Sequence, residues 1–471
     1  MRLALPLILS ALLAACATLP DVHPWSRTGT GKSPTLVGVR GPLTPERSAA
    51  VLARMQAKGG GSDVFVRHMV VEEEVSGRPL TLGNRATVLM DGPASYQAMF
   101  DAIEGARDHI NVEFYIIEDD EVGRRFSDAL LRKRAEGVAV NLMYDSVGSG
   151  QAPAAFFQKL RDGGVTVLEY NPVNPLRARK GWSVNNRNHR KLVVVDGQVA
   201  FTGGINISDV YSSGSSPGSR RGSGPGSGGG LSRGSGSRQP KDVGWRDTNV
   251  RIEGPAVDQL QKLFLETWQK QGGPVLEERN WFPAMKRQGD HPVRIVASGP
   301  GDEGPAIYVA LLNAIANAQR SVHITMAYFV PDPQTIDALK SAAARGVDVT
   351  LVLPSYTDFW AVFHAGRSHY ADLLESGVTV YERQQALLHA KTIVIDGVWS
   401  TVGSSNLDWR SFLHNEELNA VILGWDFGKQ MEAMFQADLK GSVRIAPESW
   451  SRRPLEVRMK ELAARVWEYW L

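Results

Sequence analysis

The chain has 471 residues, with 52 Lys and Arg against 50 Asp and Glu, a formal net charge of +2. That balance argues against a general nucleic-acid binder, which carries a clear basic excess. With 43% hydrophobic and 22% charged residues, a collagen-like, coiled-coil or wholly disordered chain is excluded. A length of this order fits about two to four domains. The single cysteine, Cys16, leaves no intramolecular disulfide and no Cys-rich metal site.

Residues 1–15 open with one positive charge, run through a short apolar stretch and close on small residues, the pattern of a secretory signal peptide. Leu13-Ala14-Ala15-Cys16 resembles the bacterial lipobox, which implies cleavage before Cys16 and lipidation of that residue. Such an anchor implies a bacterial cell envelope and a periplasm-facing protein, with Ala17 leaning towards the outer membrane and the choice of membrane left open. Residues 16–62 read as a tether containing one short helix near Pro45–Lys58.

An internal repeat follows. In the first half, Tyr96–Asp108 reads as a helix, His109–Ile116 as a strand, Phe126–Glu136 as a helix and Val138–Met143 as a strand. In the second half the same order runs through Ala306–Gln319, Ser321–Phe329, Gln334–Arg345 and Val347–Leu353. The segments RAEGVAVNLM and AARGVDVTLV are one unit written twice. Alternating strands and helices predict an α/β fold with a mixed sheet flanked by helices. Residues 212–238 are a Gly/Ser tract with four arginines, too poor in apolar groups to fold, and read as a flexible loop.

Each repeat ends in H-x-K-x4-D. The first copy is His189, Lys191 and Asp196; the second is His389, Lys391 and Asp396, 200 residues on. The residues between are β-branched and apolar, so each copy reads as a buried strand. Side chains two apart share a face. His189 therefore points with Lys191 and His389 with Lys391, whereas each Asp has the opposite parity and reads as strand-end structure. Downstream, Gly204 and Asn206, or Ser404 and Asn406, share a face in turn. Each half thus presents half a site, and a pseudo-twofold would complete it. Such a pair suits phosphoryl transfer without a metal or other cofactor. One neutral His attacks phosphorus, the other protonates the leaving alcohol, and Lys and Asn groups stabilise the equatorial oxygens. Each imidazole needs a partner for its other nitrogen, and Asp247 and Glu417 are the acids on offer.

These residues identify a resemblance. Asn188-His189-Arg190-Lys191 with Gly203-Gly204-Ile205-Asn206, Trp245-Arg246-Asp247, and Leu388-His389-Ala390-Lys391 with Gly403-Ser404-Ser405-Asn406 resemble the phospholipase D superfamily, most closely its bacterial cardiolipin synthases. Arg410-Ser411 and Asn415-x-Glu417 complete the match. The resemblance implies two phospholipase D-like domains, 63–288 and 289–471, with the active site at their interface. It implies His189 as nucleophile and His389 as general acid and then base. The catalytic set then holds His189, Lys191, Asp196, His389, Lys391 and Asp396, the phosphate is bound also by Asn206, Ser404 and Asn406, and Asp247 and Glu417 orient the imidazoles. The implied partners are membrane phospholipids, phosphatidylglycerol first, with no nucleic acid. The implied reaction makes cardiolipin and releases glycerol. A phospholipase D hydrolase shares every catalytic residue and stays the rival, with a nucleic-acid phosphodiesterase or a lipid-binding scaffold behind it.

Asp408 and Arg410 read either as a helix cap or as lipid contacts. His364 and Arg367 resemble a family segment near the site. Arg177, Arg179, Lys180 and Arg187 read either as a head-group site or as a solvated face. Towards the C-terminus, Leu455, Met459, Leu462, Val466 and Trp470 form one helical stripe beside basic residues, the pattern of an interfacial helix or of a helix packed on the second domain.

Overall fold

A computed structural model describes residues 18–22, 34–58, 64–177, 182–183, 185–212, 244–302 and 304–470. The signal-peptide reading, Cys16, Arg179, Lys180 and all of the Gly/Ser tract except Ser212 lie outside the described residues.

Strand β1 (Leu36–Gly38) and helices α1 (Pro45–Lys58) and α2 (Val64–Ser76) come first. The first half then runs β2 (Leu80–Leu89), α3 (Gly92–Glu104), β3 (His109–Phe114), α4 (Glu121–Ala135), β4 (Ala139–Asp145) and β5 (Thr166–Tyr170). It continues through the short β6 (Arg187–Asn188), β7 (Lys191–Val195), β8 (Val199–Gly203), the short β9 (Trp245–Arg246), β10 (Asn249–Glu253) and α5 (Ala256–Lys270). The second half repeats this with β11 (His291–Ser298), α6 (Ala306–Asn317), β12 (Ser321–Met326), α7 (Pro333–Ala344), β13 (Asp348–Pro354), α8 (Trp360–Ser368) and β14 (Thr379–Arg383). Then come β15 (Leu387–Leu388), β16 (Lys391–Ile395), β17 (Trp399–Gly403), β18 (Asn415–Leu423), α9 (Trp425–Lys440) and α10 (Leu455–Arg465).

The helices begin where acidic caps allow. Asp91 accepts from the Ala94 amide and Asp120 from the Gly123 amide, so α3 and α4 start four and five residues earlier than apolar spacing alone predicts.

Hydrogen bonding joins the longer strands into one sheet, in the spatial order β5-β4-β3-β7-β8-β10-β2-β11-β18-β17-β16-β12-β13-β14. Read from either end, this order is the same series of parallel and antiparallel pairs. The pseudo-twofold therefore passes between β2 and β11, which pair antiparallel through His291↔Asn84 and Val293↔Thr81. One apolar cluster spans this seam, where Val250, Ile252 and Phe264 meet Val293, Ile295 and Phe427.

The tether reading holds less of the N-terminus than expected. Leu36 and Leu52 are buried in the core of the second half, with Met69 and Val71 of α2. Residues from β1 through α2 thus cover the second half although they precede the first. Burying these apolar side chains is what fixes them.

Candidate active site

His189 and His389 stand just before β7 and β16. Register pairs Phe114 with Lys191 and Met326 with Lys391, so each histidine lies beyond the C-terminal end of the neighbouring parallel strand. Open α/β sheets place ligands at that edge. Both histidines are buried, 8% and 6% exposed.

Each imidazole is held by the acid of the other half. β6 runs parallel to the start of β18, pairing Arg187 with Asn415 and Asn188 with Glu416, and the His189 amide donates to the Glu416 carbonyl at 3.0 Å. The next residue, Glu417, meets His189 Nδ1 at 2.9 and 3.1 Å. Symmetrically, β9 runs parallel to β15, and the His389 amide donates to the Arg246 carbonyl at 2.8 Å. Asp247 then meets His389 Nδ1 at 2.7 Å. With Nδ1 committed to a carboxylate, Nε2 of each ring is the nitrogen free to react.

Lys191 Nζ donates to the carbonyl of His189, and Lys391 Nζ to that of His389 at 2.5 Å, with His389 Nδ1 3.0 Å away. The shared face expected for each His–Lys pair is what places them together. Burial, helped by the charges of Lys191 and Lys391, outweighs Glu417 and pulls His189 down to about 4. His389 is also lowered, by burial and Lys391 against the pull of Asp247. Burial pushes Glu417 up, yet His189, Lys191 and Ser404 together hold it at about 2. Burial brings Lys191 to about 7 and Lys391 to about 8. Both shifts favour the neutral imidazole at pH 7.

One difference between the halves lies beside the two acids. Ser404 is fully buried, and its hydroxyl donates to Glu417 at 2.5 Å and accepts from the Leu418 amide at 3.0 Å. This corrects the phosphate-binding role expected for Ser404, because its hydroxyl is spent on holding Glu417. Gly204 stands in the matching place, and a Cβ there would lie 2.1 Å from Asp247 Oδ1. Asp247 occupies the space a serine would need.

Asp196 and Asp396 are not at the site, which corrects their place in the catalytic set. Each begins an Asp-Gly turn between the two strands that follow its histidine. Both turn residues have positive φ, 53° and 61° for Asp196 and Gly197, 55° and 67° for Asp396 and Gly397. The Asp196 carboxylate accepts from the amides of Arg107, Asp108 and His109, and that of Asp396 from those of Gln319, Arg320 and Ser321. They tie the far end of each hairpin to the start of β3 or β12.

A cavity of about 380 Å³ opens over the two histidines, lined also by Asn206 and Asn406. Asn206 Nδ2 donates to the Tyr211 hydroxyl at 3.1 Å, and Asn406 Oδ1 is buried without a partner. Tyr115 packs edge-on against His189, ring centroids 5.0 Å apart, and Tyr328 against His389 at 6.2 Å. Trp245 lies 5.0 Å from His389 and 5.3 Å from Tyr211. Tyr115, Tyr328 and Asp358, which accepts from the Tyr328 hydroxyl at 2.7 Å, are lining residues the sequence reading missed. The tyrosines follow matching strands of the repeat, and that was the available signal.

Asp408 takes the capping role, accepting from the Ser411 amide at 2.7 Å, and it also lines the cavity, where burial raises its carboxyl to about 7. Arg410 lines the cavity while donating to Asn185 Oδ1 at 2.9 Å. His364 and Arg367 do not line it, and Arg367 turns to the Trp450 ring at 5.0 Å. Arg187 is buried, donating to Ser146 Oγ at 3.1 Å, so it is no surface head-group contact, while Arg177 is exposed and pairs with Glu169 at 2.6 Å.

Residues 99–213 and 311–439 match the family model described as cardiolipin synthase, PLD-like domain. The chain belongs to this family. A cardiolipin synthase of Geobacillus sp. (strain WCH70) is 35% identical over 392 residues, 82% of this chain and 72% of that protein. The major cardiolipin synthase of Bacillus subtilis is 36% identical over 390 residues, 82% of this chain and 75% of its own. Among solved structures, the phosphatidylserine synthase of Haemophilus influenzae superposes with a TM-score of 0.59 at 14% identity, covering 85% of this chain and 98% of that one, and so shares the fold. The cardiolipin synthase-like chain is an enzyme of the phospholipase D superfamily with a mixed α/β fold.

Proposed function

We propose that this enzyme is a phosphatidyltransferase that makes cardiolipin from two molecules of phosphatidylglycerol. The observation that carries the reading is the pair of buried imidazoles facing one cavity, each fixed through Nδ1 by a carboxylate of the opposite half.

His189 Nε2 attacks the phosphorus of the first lipid. The N–P bond forms as the P–O bond to glycerol breaks, and His389 gives its proton to that oxygen. His389 acquires the proton when the anionic phosphodiester enters, because nearby negative charge favours the imidazolium. His389 then takes the proton from a head-group hydroxyl of the second lipid. That oxygen attacks phosphorus, the N–P bond breaks and His189 is restored. Lys191, Lys391, Asn206 and Asn406 supply charge and amide dipoles at the non-bridging oxygens. Asp247 and Glu417 keep the rings in register throughout. Lipidation at Cys16 would hold this chemistry at a bacterial envelope membrane on its periplasmic side.

Product analysis tests the reading. The purified protein is incubated with phosphatidylglycerol in detergent micelles and the products are identified by mass spectrometry. Cardiolipin with free glycerol is expected. Phosphatidic acid with glycerol and no cardiolipin would make the enzyme a hydrolase, and full activity in His189→Ala would remove the assigned nucleophile.

A further inference from the structure

Helix α10 is turned inside out relative to an ordinary surface helix. It packs on α8 through Glu461 and Ala464, both buried, and Arg453 neutralises Glu461 at 2.9 Å. Helical spacing puts Leu455, Met459, Leu462 and Val466 on the opposite face. They are 72%, 57%, 61% and 76% exposed, and Trp467 beyond them is 61% exposed. The segment is held in place all the same, because Glu468 pairs with His369 at 3.1 Å and Tyr469 packs on Trp409 at 5.4 Å. The apolar stripe is therefore a fixed feature of the surface.

Helix α8, on which α10 packs, borders the catalytic cavity. Phe359 and Val362 line that cavity, and Phe359 and Trp360, at the start of α8, are half exposed. Arg458 and Arg465 flank the stripe on one side, both exposed. An apolar face with aromatic ends and a basic flank matches a sheet of anionic phospholipids. No described helix is long and apolar enough to cross a membrane, so contact through α10 is in the membrane plane.

We propose that the outer face of α10, with Phe359, Trp360 and Trp467, seats in the boundary between head groups and acyl chains of an anionic phospholipid bilayer and holds the cavity mouth against it. The choice of a bilayer as occupant rests on the phosphatidyltransferase reading, whose substrates reside there.

Cys16 is the chain's one cysteine, so the full chain with Cys16→Ser and Met459→Cys carries a single thiol for a polarity-sensitive dye. Vesicles of phosphatidylglycerol and phosphatidylethanolamine should shift the emission to the blue, and phosphatidylcholine vesicles should do so less. No shift on the anionic vesicles overturns the proposal. A shift without vesicles that grows with protein concentration also overturns it, by showing a second copy on the stripe. This readout needs no turnover, so it stands whatever the micelle assay says of the chemistry. In the otherwise native chain, Leu462→Glu with Val466→Glu should lower activity on vesicles about tenfold or more and leave activity in micelles within about twofold. Equal losses in both assays would make the stripe a structural element and sink the idea.

Discussion

Lys191 and Lys391 sit behind the imidazoles, and burial brings them to about 7 and about 8. In the unfolded chain a lysine keeps its proton to about 10.4. Between those values the unfolded state holds more protons, so each lysine makes stability rise with pH, by up to about 1.4 kcal/mol per pH unit. Lys191→Met removes that slope. It should abolish turnover yet be at least as stable as the parent at pH 7, with the parent gaining on it towards pH 10. Urea unfolding across this range checks it, and parallel curves would show that Lys191 stays charged when folded. Asp196 makes the contrasting case, because its carboxylate accepts three backbone amides at the remote end of the hairpin. Asp196→Asn should cost about 1–3 kcal/mol in stability while leaving turnover per folded molecule unchanged, as thermal melts and active-site titration would show. In sequence, period-two parity set Asp196 apart from Lys191, while the family resemblance put both in the catalytic set. Parity failed for Ser404, whose face it could give but whose hydrogen-bond partner it could not.

Among elements, the decisive ones are the shortest. β6 and β9 have two residues each, and their parallel pairing with β18 and β15 delivers each acid to the opposite histidine. Glu417 lies 28 residues after His389 in sequence yet serves His189. Spacing shows that an acid exists but not whose imidazole it holds, since a two-residue strand leaves no periodic pattern to read. The long strands and helices were legible because burial on both faces writes apolar runs, and their starts were misjudged where capping by Asp91 and Asp120 decided them. The crossing makes the two acids separable by experiment. With a phosphodiester whose leaving group is p-nitrophenolate, which departs without a proton, Asp247→Asn should keep the nitrophenolate burst within about tenfold of the parent. Glu417→Gln should lose it with either leaving group. The reverse result would exchange the roles of the two histidines.

Across the whole molecule, the sheet runs unbroken through the seam between β2 and β11, and residues ahead of the first half close the second. Glu72 of α2 shows how firmly. It is fully buried, pairs with the equally buried Arg294 at 3.2 Å and accepts from the Trp399 indole at 2.6 Å. Glu72→Ala leaves the buried Arg294 charge with Glu73 at 3.8 Å in place of the closer pair and should cost about 3 kcal/mol. Glu72→Leu with Arg294→Met should recover most of it, both read from urea unfolding. Sequence alone assigned this region to a tether and to the first domain, because a contact spanning more than two hundred residues is invisible to local pattern.

Tyr211 and Trp245 touch at 5.3 Å, and both rest on His389. The two are 34 residues apart in sequence and adjacent in space, so added length between them would cost little chain entropy. A foreign receptor domain with neighbouring termini, spliced there, would stand directly on a catalytic ring. Ligand-driven tension in that guest would reach the imidazole through two side chains, and the enzyme's turnover would become its reporter.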